Sequence, residues 1–294
     1  MNKKDINIVY SSDDNYSQPL GVSMHSLLDN FQSDKYQLII NILDGDIKDE
    51  NKVKLTNIGK IYKTKINFIK VNTEIFADFP QMYYYTLPAY YRLCIPDILK
   101  DVEKCIYIDC DTLVIGNIEG LYENSLDCYL LAAVEDSVAE QVLKMNCPFF
   151  KYIKKYFNSG ILLMNLDKMR QEDFTAKAIE FVKKHSKELI YADQDVLNFL
   201  CIDKWLPLEK KWNLQVDRSQ TRVKPDPIIL HYTTGYKPWC RFYNNYYQRF
   251  YKHYLKKWPE YKIKETTTLI AAKQIIKFIP YSVPIVRFLK KFIN

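Results

Sequence analysis

No Cys-x-x-Cys pair occurs among the seven cysteines of this 294-residue chain, which stand at 94, 105, 110, 128, 147, 201 and 240. An odd number of scattered thiols excludes a zinc ribbon and argues against a disulfide framework. The opening Met-Asn-Lys-Lys-Asp contains no secretory h-region and runs directly into a short apolar stretch, Ile6–Tyr10, so a reducing cytoplasm is the expected compartment. No apolar run approaches the roughly 20 residues of a membrane span. Internal repeats and low-complexity linkers are also missing. An apolar fraction of 48% leaves little room for disorder, and the length suits one large domain or a domain with an appendage.

Two features are in excess. Aromatic residues make up 15% of the chain, with 24 Tyr; core filling explains such rings as readily as a surface that meets sugars or lipid headgroups. Charge is also uneven. From Tyr236 onward there are thirteen Lys/Arg against Glu260 and Glu265, a surplus of eleven that exceeds the +7 of the whole chain, so residues 1–235 are net acidic. The body is therefore not a polycationic nucleic-acid binder. The basic end favours an anionic membrane surface. Eleven aromatics between Tyr236 and Tyr261 suit a headgroup belt. Further on, Leu269, Ala272, Ile276 and Ile279 line one helical stripe. Ile285, Phe288, Leu289, Phe292 and Ile293 line another, beyond Pro280 and Pro284. Both predict short interfacial helices; packing on the body or on a partner is the alternative.

Apolar runs at 6–10, 37–43, 65–71 and 104–108 predict buried strands, and the segments 17–31, 48–62 and 86–99 between them predict helices. Later runs at 130–134, 160–165 and 228–230 are expected to continue the same sheet, with helices over 175–185 and 193–200. This alternation predicts an α/β fold: a mostly parallel, Rossmann-like central sheet with helices on both faces. Working residues in such sheets gather at the carboxyl ends of strands. Polar clusters at 11–16, 109–111 and 231–232 occupy those positions.

Asp109-x-Asp111 places two carboxylates at i and i+2, on one side of an extended chain. Oxygen ligands of this kind suit Mg²⁺ or Mn²⁺ bridged to a diphosphate. Two other Asp-x-Asp pairs exist, Asp44/Asp46 and Asp193/Asp195, but only the middle one follows a strongly apolar run, Cys-Ile-Tyr-Ile. His231 would add a nitrogen ligand, which favours Mn²⁺ over Mg²⁺. Lys237 is a flexible cation suited to phosphate oxygens, and Gly235 would let backbone approach them.

These segments together resemble glycosyltransferase family 8, the group that includes bacterial lipopolysaccharide galactosyl- and glucosyltransferases and, more distantly, glycogenin. The resemblance rests on Tyr-Ser-Ser-Asp-Asp-Asn-Tyr (10–16), Tyr-Tyr-Arg-Leu (90–93), Tyr-Ile-Asp-Cys-Asp (107–111), Phe-Asn-Ser-Gly-Ile-Leu-Leu-Met-Asn-Leu (157–166) and Asp-Gln-Asp-Val-Leu-Asn (193–198). His231-Tyr232 through Lys-Pro-Trp (237–239) closes the set. It implies a fold of glycosyltransferase A type and Asp109, Asp111 and His231 as ligands of Mn²⁺, with Mg²⁺ as the alternative. It further implies Ser11, Asp13, Asn15 and Tyr16 around the nucleoside. Arg92, Asp109, Cys110, Asn158, Asp193 and Gln194 would surround the donor sugar and its phosphates, with Gly235 and Lys237 at the diphosphate. One departure stands out: where the family usually has Gly three residues after this His, the chain has Thr234, with Gly235 following.

The implied reaction moves galactose or glucose from a UDP-sugar to a glycan or glycolipid, with retention of configuration, in cell-surface polysaccharide or lipopolysaccharide-type synthesis. Gln194, Asp193 and Asp195 are the candidate catalytic residues. An amide is a poor nucleophile, so same-face attack is favoured over a double displacement. Residues 1–262 would form the catalytic domain and 263–294 a basic amphipathic tail, holding the enzyme at the inner face of the cell membrane without any nucleic-acid partner. Two rivals remain. A nucleotidyltransferase would use a Gly-rich basic loop near the first strand, whereas residues 11–16 contain neither Gly nor a basic side chain. A non-enzymatic membrane-surface protein would leave Asp109, Asp111 and His231 without a purpose.

Overall fold

A computed structural model describes residues 3–80, 87–217, 220–235, 237–240, 243 and 245–257. The tail helices expected beyond 263, and Thr86 at the start of one expected helix, lie outside the described residues.

Ten strands occur in chain order: β1 (Lys4–Asp13), β2 (Tyr36–Gly45), β3 (Lys65–Lys70), β4 (Lys104–Ile108), β5 (Thr112–Val114), β6 (Leu131–Glu135), β7 (Phe157–Asn165), β8 (Trp205–Pro207), β9 (Leu214–Gln215) and β10 (Ile229–His231). Seven form the central sheet in the order β3-β2-β1-β4-β7-β6-β8. Pairing is parallel throughout except at β7, which runs antiparallel to both neighbours. The mostly parallel expectation holds, with one reversed strand near the middle.

The central strands are buried on both faces, so their side chains alternate between two cores rather than between core and solvent. Ile6, Ile8 and Tyr10 of β1, Ile106 and Ile108 of β4, and Ile161 and Leu163 of β7 enter one core. Val9, Cys105, Tyr107, Leu162 and Met164 enter the other. Helix Ser17–Asn30 covers the first face with Leu20, Met24, Leu27 and Leu28. Helix Phe174–His185 covers the second with Phe174, Ala178, Phe181 and Val182. Each face buries its own apolar layer, as expected for an α/β sheet covered by helices on both sides.

Three expectations need correction. The helix predicted over 86–99 is broken into short turns at Pro88–Tyr91, Arg92–Cys94 and Ile95–Ile98. Pro96 is the cause, because it lacks the N–H that would bond back to residue 92 and its ring crowds that carbonyl. The run at 228–230 does not join the central sheet. It forms β10 in a separate three-stranded sheet, β5-β10-β9, paired antiparallel to β5 with His231 opposite Thr112. His231 is thus inside a strand rather than after one. Finally, among the described residues, four of the aromatics expected at a headgroup belt belong to the core instead. Tyr243, Tyr247, Tyr251 and Tyr254 are buried, the last two on helix Gln248–Lys257. Asn30 donates to the Tyr254 hydroxyl at 2.6 Å, which ties that helix to Ser17–Asn30. None of the described helices is long and apolar enough to cross a membrane.

Candidate active site

Four chain segments meet at one edge of the central sheet. The carboxyl ends of β1 and β4 point there, as the strand-end rule requires. Because β7 is reversed, it is its beginning, Phe157-Asn158-Ser159-Gly160, that reaches the same edge. The backbone N–H of Asp109 donates to Gly160 O at 2.8 Å and fixes the two ends side by side. The fourth segment is β10 with the loop that follows, brought in by the β5 pairing.

A cavity of about 400 Å³ opens among them. Its lining includes Ser11, Asp13, Tyr16, Arg92, Asp109, Cys110, Asp111, Asn158, Asp193, Gln194, His231, Gly235 and Lys237. Asn15 is exposed and lies outside it. Asp195 also lies outside: it is fully buried, with Oδ1 accepting from the Tyr156 hydroxyl at 2.5 Å and Oδ2 from the N–H groups of Ile190 and Tyr191 at 2.6 and 2.8 Å.

The acidic pair and the imidazole converge. One ligand atom from each of Asp109, Asp111 and His231 lies within 4.8 Å of the others. His231 Nε2 is 3.6 Å from Asp109 Oδ2 and 3.3 Å from Asp111 Oδ1. Two carboxylates and one imidazole fit Mn²⁺ or Mg²⁺ by the chemistry of the donors. The packing fits as well. A Cβ at Gly160 would stand 2.1 Å from His231 Cε1 and 2.7 Å from Asp109 Oδ2, so only glycine leaves these ligands room. Lys237 Nζ lies 2.6 Å from Asp111 Oδ2 and donates to Tyr232 O at 2.6 Å. Burial pushes the Asp111 carboxyl up, but Lys237 and His231 together outweigh it and hold it well below the ordinary carboxylate range.

The opposite wall is a buried network around Arg92. Its guanidinium donates to Asp109 Oδ1 at 2.9 Å, approaches Asp193 Oδ2 at 3.0 Å, and donates to Ser159 O at 2.7 Å. It also lies 4.3 Å from the Tyr107 ring centre, and the Tyr107 hydroxyl donates to Asp109 Oδ1 at 2.8 Å. Burial disfavours the Arg92 charge, but Asp109 and Asp193 overcome it and keep the side chain ionised. Asp193 is deeper. Burial raises it to about 6; Arg92 opposes that shift and Asp109 adds to it. Gln194 Oε1 accepts from Ser159 N at 2.9 Å and its Nε2 donates to Asp136 at 3.1 Å.

Asp193 and Gln194 open helix Asp193–Leu200, whose N-cap is Ala192 at φ 49° and ψ −121°, with no side-chain cap. Left-handed φ at a buried alanine is strained, and strain of this kind persists where the surroundings over-determine it. Here it turns two consecutive polar side chains into the cavity. Tyr16 borders the other end, edge-on to Trp239 with ring centres 6.0 Å apart.

Several contributors carried no assigned role in the sequence reading. Tyr107, Ser159 and Gly160 sit inside recognisable segments, so adjacency was the signal available. Asn213 and Asp136 had none: they are single polar residues in unremarkable surroundings.

The model for Glycosyl transferase family 8 matches residues 7–242. General stress protein A of Bacillus subtilis strain 168 is 35% identical, over 88% of this chain and 96% of its own length. The lipopolysaccharide 1,3-galactosyltransferase of Salmonella typhimurium strain LT2 is 26% identical over 79% of this chain and 72% of its own. Among solved structures, the galactosyltransferase LgtC in complex with donor and acceptor sugar analogues superposes with a TM-score of 0.75 and 25% identity, covering 86% of this chain and 96% of that one. The class defined by this fold and cavity is a glycosyltransferase. The chain belongs to glycosyltransferase family 8.

Proposed function

We propose that the enzyme transfers a hexose, galactose or glucose, from a UDP-sugar to a glycan or glycolipid acceptor, with retention at the anomeric carbon. The observation that carries this reading is the convergence of Asp109, Asp111 and His231 beside Lys237 in one 400 Å³ cavity. Asp109, Asp111 and His231 would hold Mn²⁺, which supplies Lewis-acid neutralisation of a diphosphate. Lys237 is placed to add charge on the same oxygens. Tyr16 offers a ring face for the base, with Asp13 beside it. Arg92 and Asp193 lock each other in place, so they would orient the sugar rather than attack it. Gln194 has both ends of its amide engaged, and Asp195 has both oxygens engaged outside the cavity. These constraints favour same-face attack, in which the leaving phosphate oxygen takes the acceptor's proton.

The lipopolysaccharide transferases among the relatives support a cell-surface glycan as acceptor. Association with the inner face of the cell membrane is proposed from the basic end of the chain. Helix Gln248–Lys257 supports it by exposing Arg249, Lys252, Lys256 and Lys257 opposite the buried Tyr251 and Tyr254. Co-sedimentation with anionic vesicles tests that part separately.

UDP release measured across a panel of UDP-sugars, with and without Mn²⁺, tests donor, metal and activity together. Asp111→Ala is expected to lose transfer by on the order of 1,000-fold, as removal of several kcal/mol of charge stabilisation requires. Near wild-type turnover in that variant overturns the metal assignment. A covalent sugar adduct trapped on Asp193 or Asp195 overturns same-face attack.

A further inference from the structure

We infer that Asn213 is a positioning residue: it keeps a proton on His231 Nδ1 and so turns Nε2 toward Asp109 and Asp111. The inference deepens the metal-site reading and rests on it only for the purpose of Nε2, not for its direction.

A chain of hydrogen bonds links Gly160 to His231, and its fixed ends set its polarity. A backbone N–H can only donate. Gly160 N lies 3.1 Å from one end of the Asn158 amide, so that end is the carbonyl oxygen. The other end, Nδ2, then donates to Asp136 Oδ2 at 3.1 Å, an acceptor only. Both contacts agree on the orientation of Asn158. Asn213 approaches that same Asn158 oxygen at 2.9 Å, and only its amide nitrogen can do so productively. The Asn213 oxygen is left facing His231 Nδ1 at 3.1 Å. An oxygen there needs a donor, so Nδ1 carries a hydrogen and Nε2 is the ring nitrogen left to act as a ligand.

Burial makes this polarity binding. Asn213 is 1% exposed and His231 4% exposed, so neither finds water to satisfy a reversed arrangement. Reversal would set Asn213 nitrogen against an N–H or two carbonyl oxygens against each other, and an unsatisfied buried polar group costs about 1–3 kcal/mol. Backbone pairing keeps the partners in register: His231 is paired with Gln215 of β9, two residues past Asn213, and Val216 N donates to His231 O at 2.7 Å. Outer partners of this kind set ring orientation and basicity in metal sites. The path also ties the metal ligand to Asn158 and, through it, to Gln194 on the sugar wall.

Two measurements test it. In ¹⁵N-labelled, metal-free, full-length protein, long-range proton–nitrogen correlation reads the His231 tautomer, with the signal assigned by its loss in His231→Gln. A proton on Nδ1 is expected whether or not Nε2, which faces the Asp109 and Asp111 carboxylates, also carries one; a bare Nδ1 overturns the inference. Mn²⁺ affinity is then titrated by electron paramagnetic resonance. Asn213→Leu is expected to weaken binding by about 10–100-fold, whereas Asn213→Asp, which keeps an acceptor opposite Nδ1–H but gives up the bond to Asn158, is expected to lose clearly less. Equal affinity in Asn213→Leu and wild type, or an equal loss in both variants, overturns it. If wild-type protein shows the expected tautomer yet binds no Mn²⁺, the metal reading fails and the tautomer assignment stands.

Discussion

The two walls of the cavity use opposite means to hold polar groups in place. In the Asp109–Asp111–His231 wall the imidazole is buried but the carboxylates are partly exposed, with Asp109 22% and Asp111 14% exposed at the side chain. The charges of the Arg92–Asp193–Gln194 wall are buried, with side-chain exposure of 2% at Asp193 and 6% at Arg92. Charges near solvent can exchange partners when a ligand arrives. Buried charges cannot do so cheaply, because a lost partner leaves an uncompensated ion. The first wall is suited to receiving a ligand, and the second to presenting a rigid surface against it.

The largest expected effect tests rigidity directly. Arg92→Met removes the cation shared by Asp109 and Asp193 and is expected to cost about 3–5 kcal/mol in urea-unfolding free energy. A cost like that of a surface substitution would erase the contrast between the walls.

Next comes pH. The folded Asp193 value of about 6 lies above its ordinary 3.8. Relative to the unfolded chain, the fold therefore favours the neutral acid. Its contribution is complete below about pH 4 and is lost as pH rises through 6, on the order of 3 kcal/mol in all. Asn cannot ionise, so Asp193→Asn should show no such loss between pH 4 and 7. Parallel stability profiles for the two proteins would refute the burial-driven shift.

Gly160→Ala tests the seam where the walls touch. The added methyl must push His231 or Asp109 aside, and ligand misplacement of about 1 Å is expected to reduce kcat/KM on the order of 100-fold. Unchanged kinetics would mean the ligands have slack. The smallest effect is Ala192→Gly. Glycine adopts left-handed φ freely, so the change is expected to shift stability by no more than about 1 kcal/mol, the relief offset by a more flexible unfolded chain. A large loss would show that the methyl group, rather than the backbone turn, holds Asp193 and Gln194.

Legibility in the sequence also divides along this line. Asp109, Asp111, His231 and Lys237 could be read because charged residues beside apolar runs stand out locally. The strands themselves were visible for the same reason. What could not be read was membership and direction: nothing in Ile228–His231 says which sheet it joins, and nothing in Phe157–Asn165 says that it runs backwards. The first is decided by β5, more than a hundred residues earlier, and the second by β4 and β6, about 20 to 60 residues earlier. Asn213 escaped notice because an amide has no marker until its two neighbours are known. Ala192 escaped because alanine is the residue least suggestive of an unusual turn. In the aromatic segment after Tyr236, composition alone did not separate core rings from surface ones: Tyr254 bonds to Asn30 of helix Ser17–Asn30, and Tyr251 packs against Tyr232 and Trp239.

The reversed direction of β7 has one more consequence. Residues 136–156, which join β6 to β7, leave and re-enter the sheet beside the cavity. Their ends are clasped where Asp136 N donates to Tyr156 O at 2.9 Å and Asn158 bonds to Asp136. A segment pinned at its base can change length at little cost, since doubling a loop adds only about 0.6 kcal/mol of closure entropy. Length changes confined to its exposed stretch, Lys144–Asn146, would therefore leave every strand register alone.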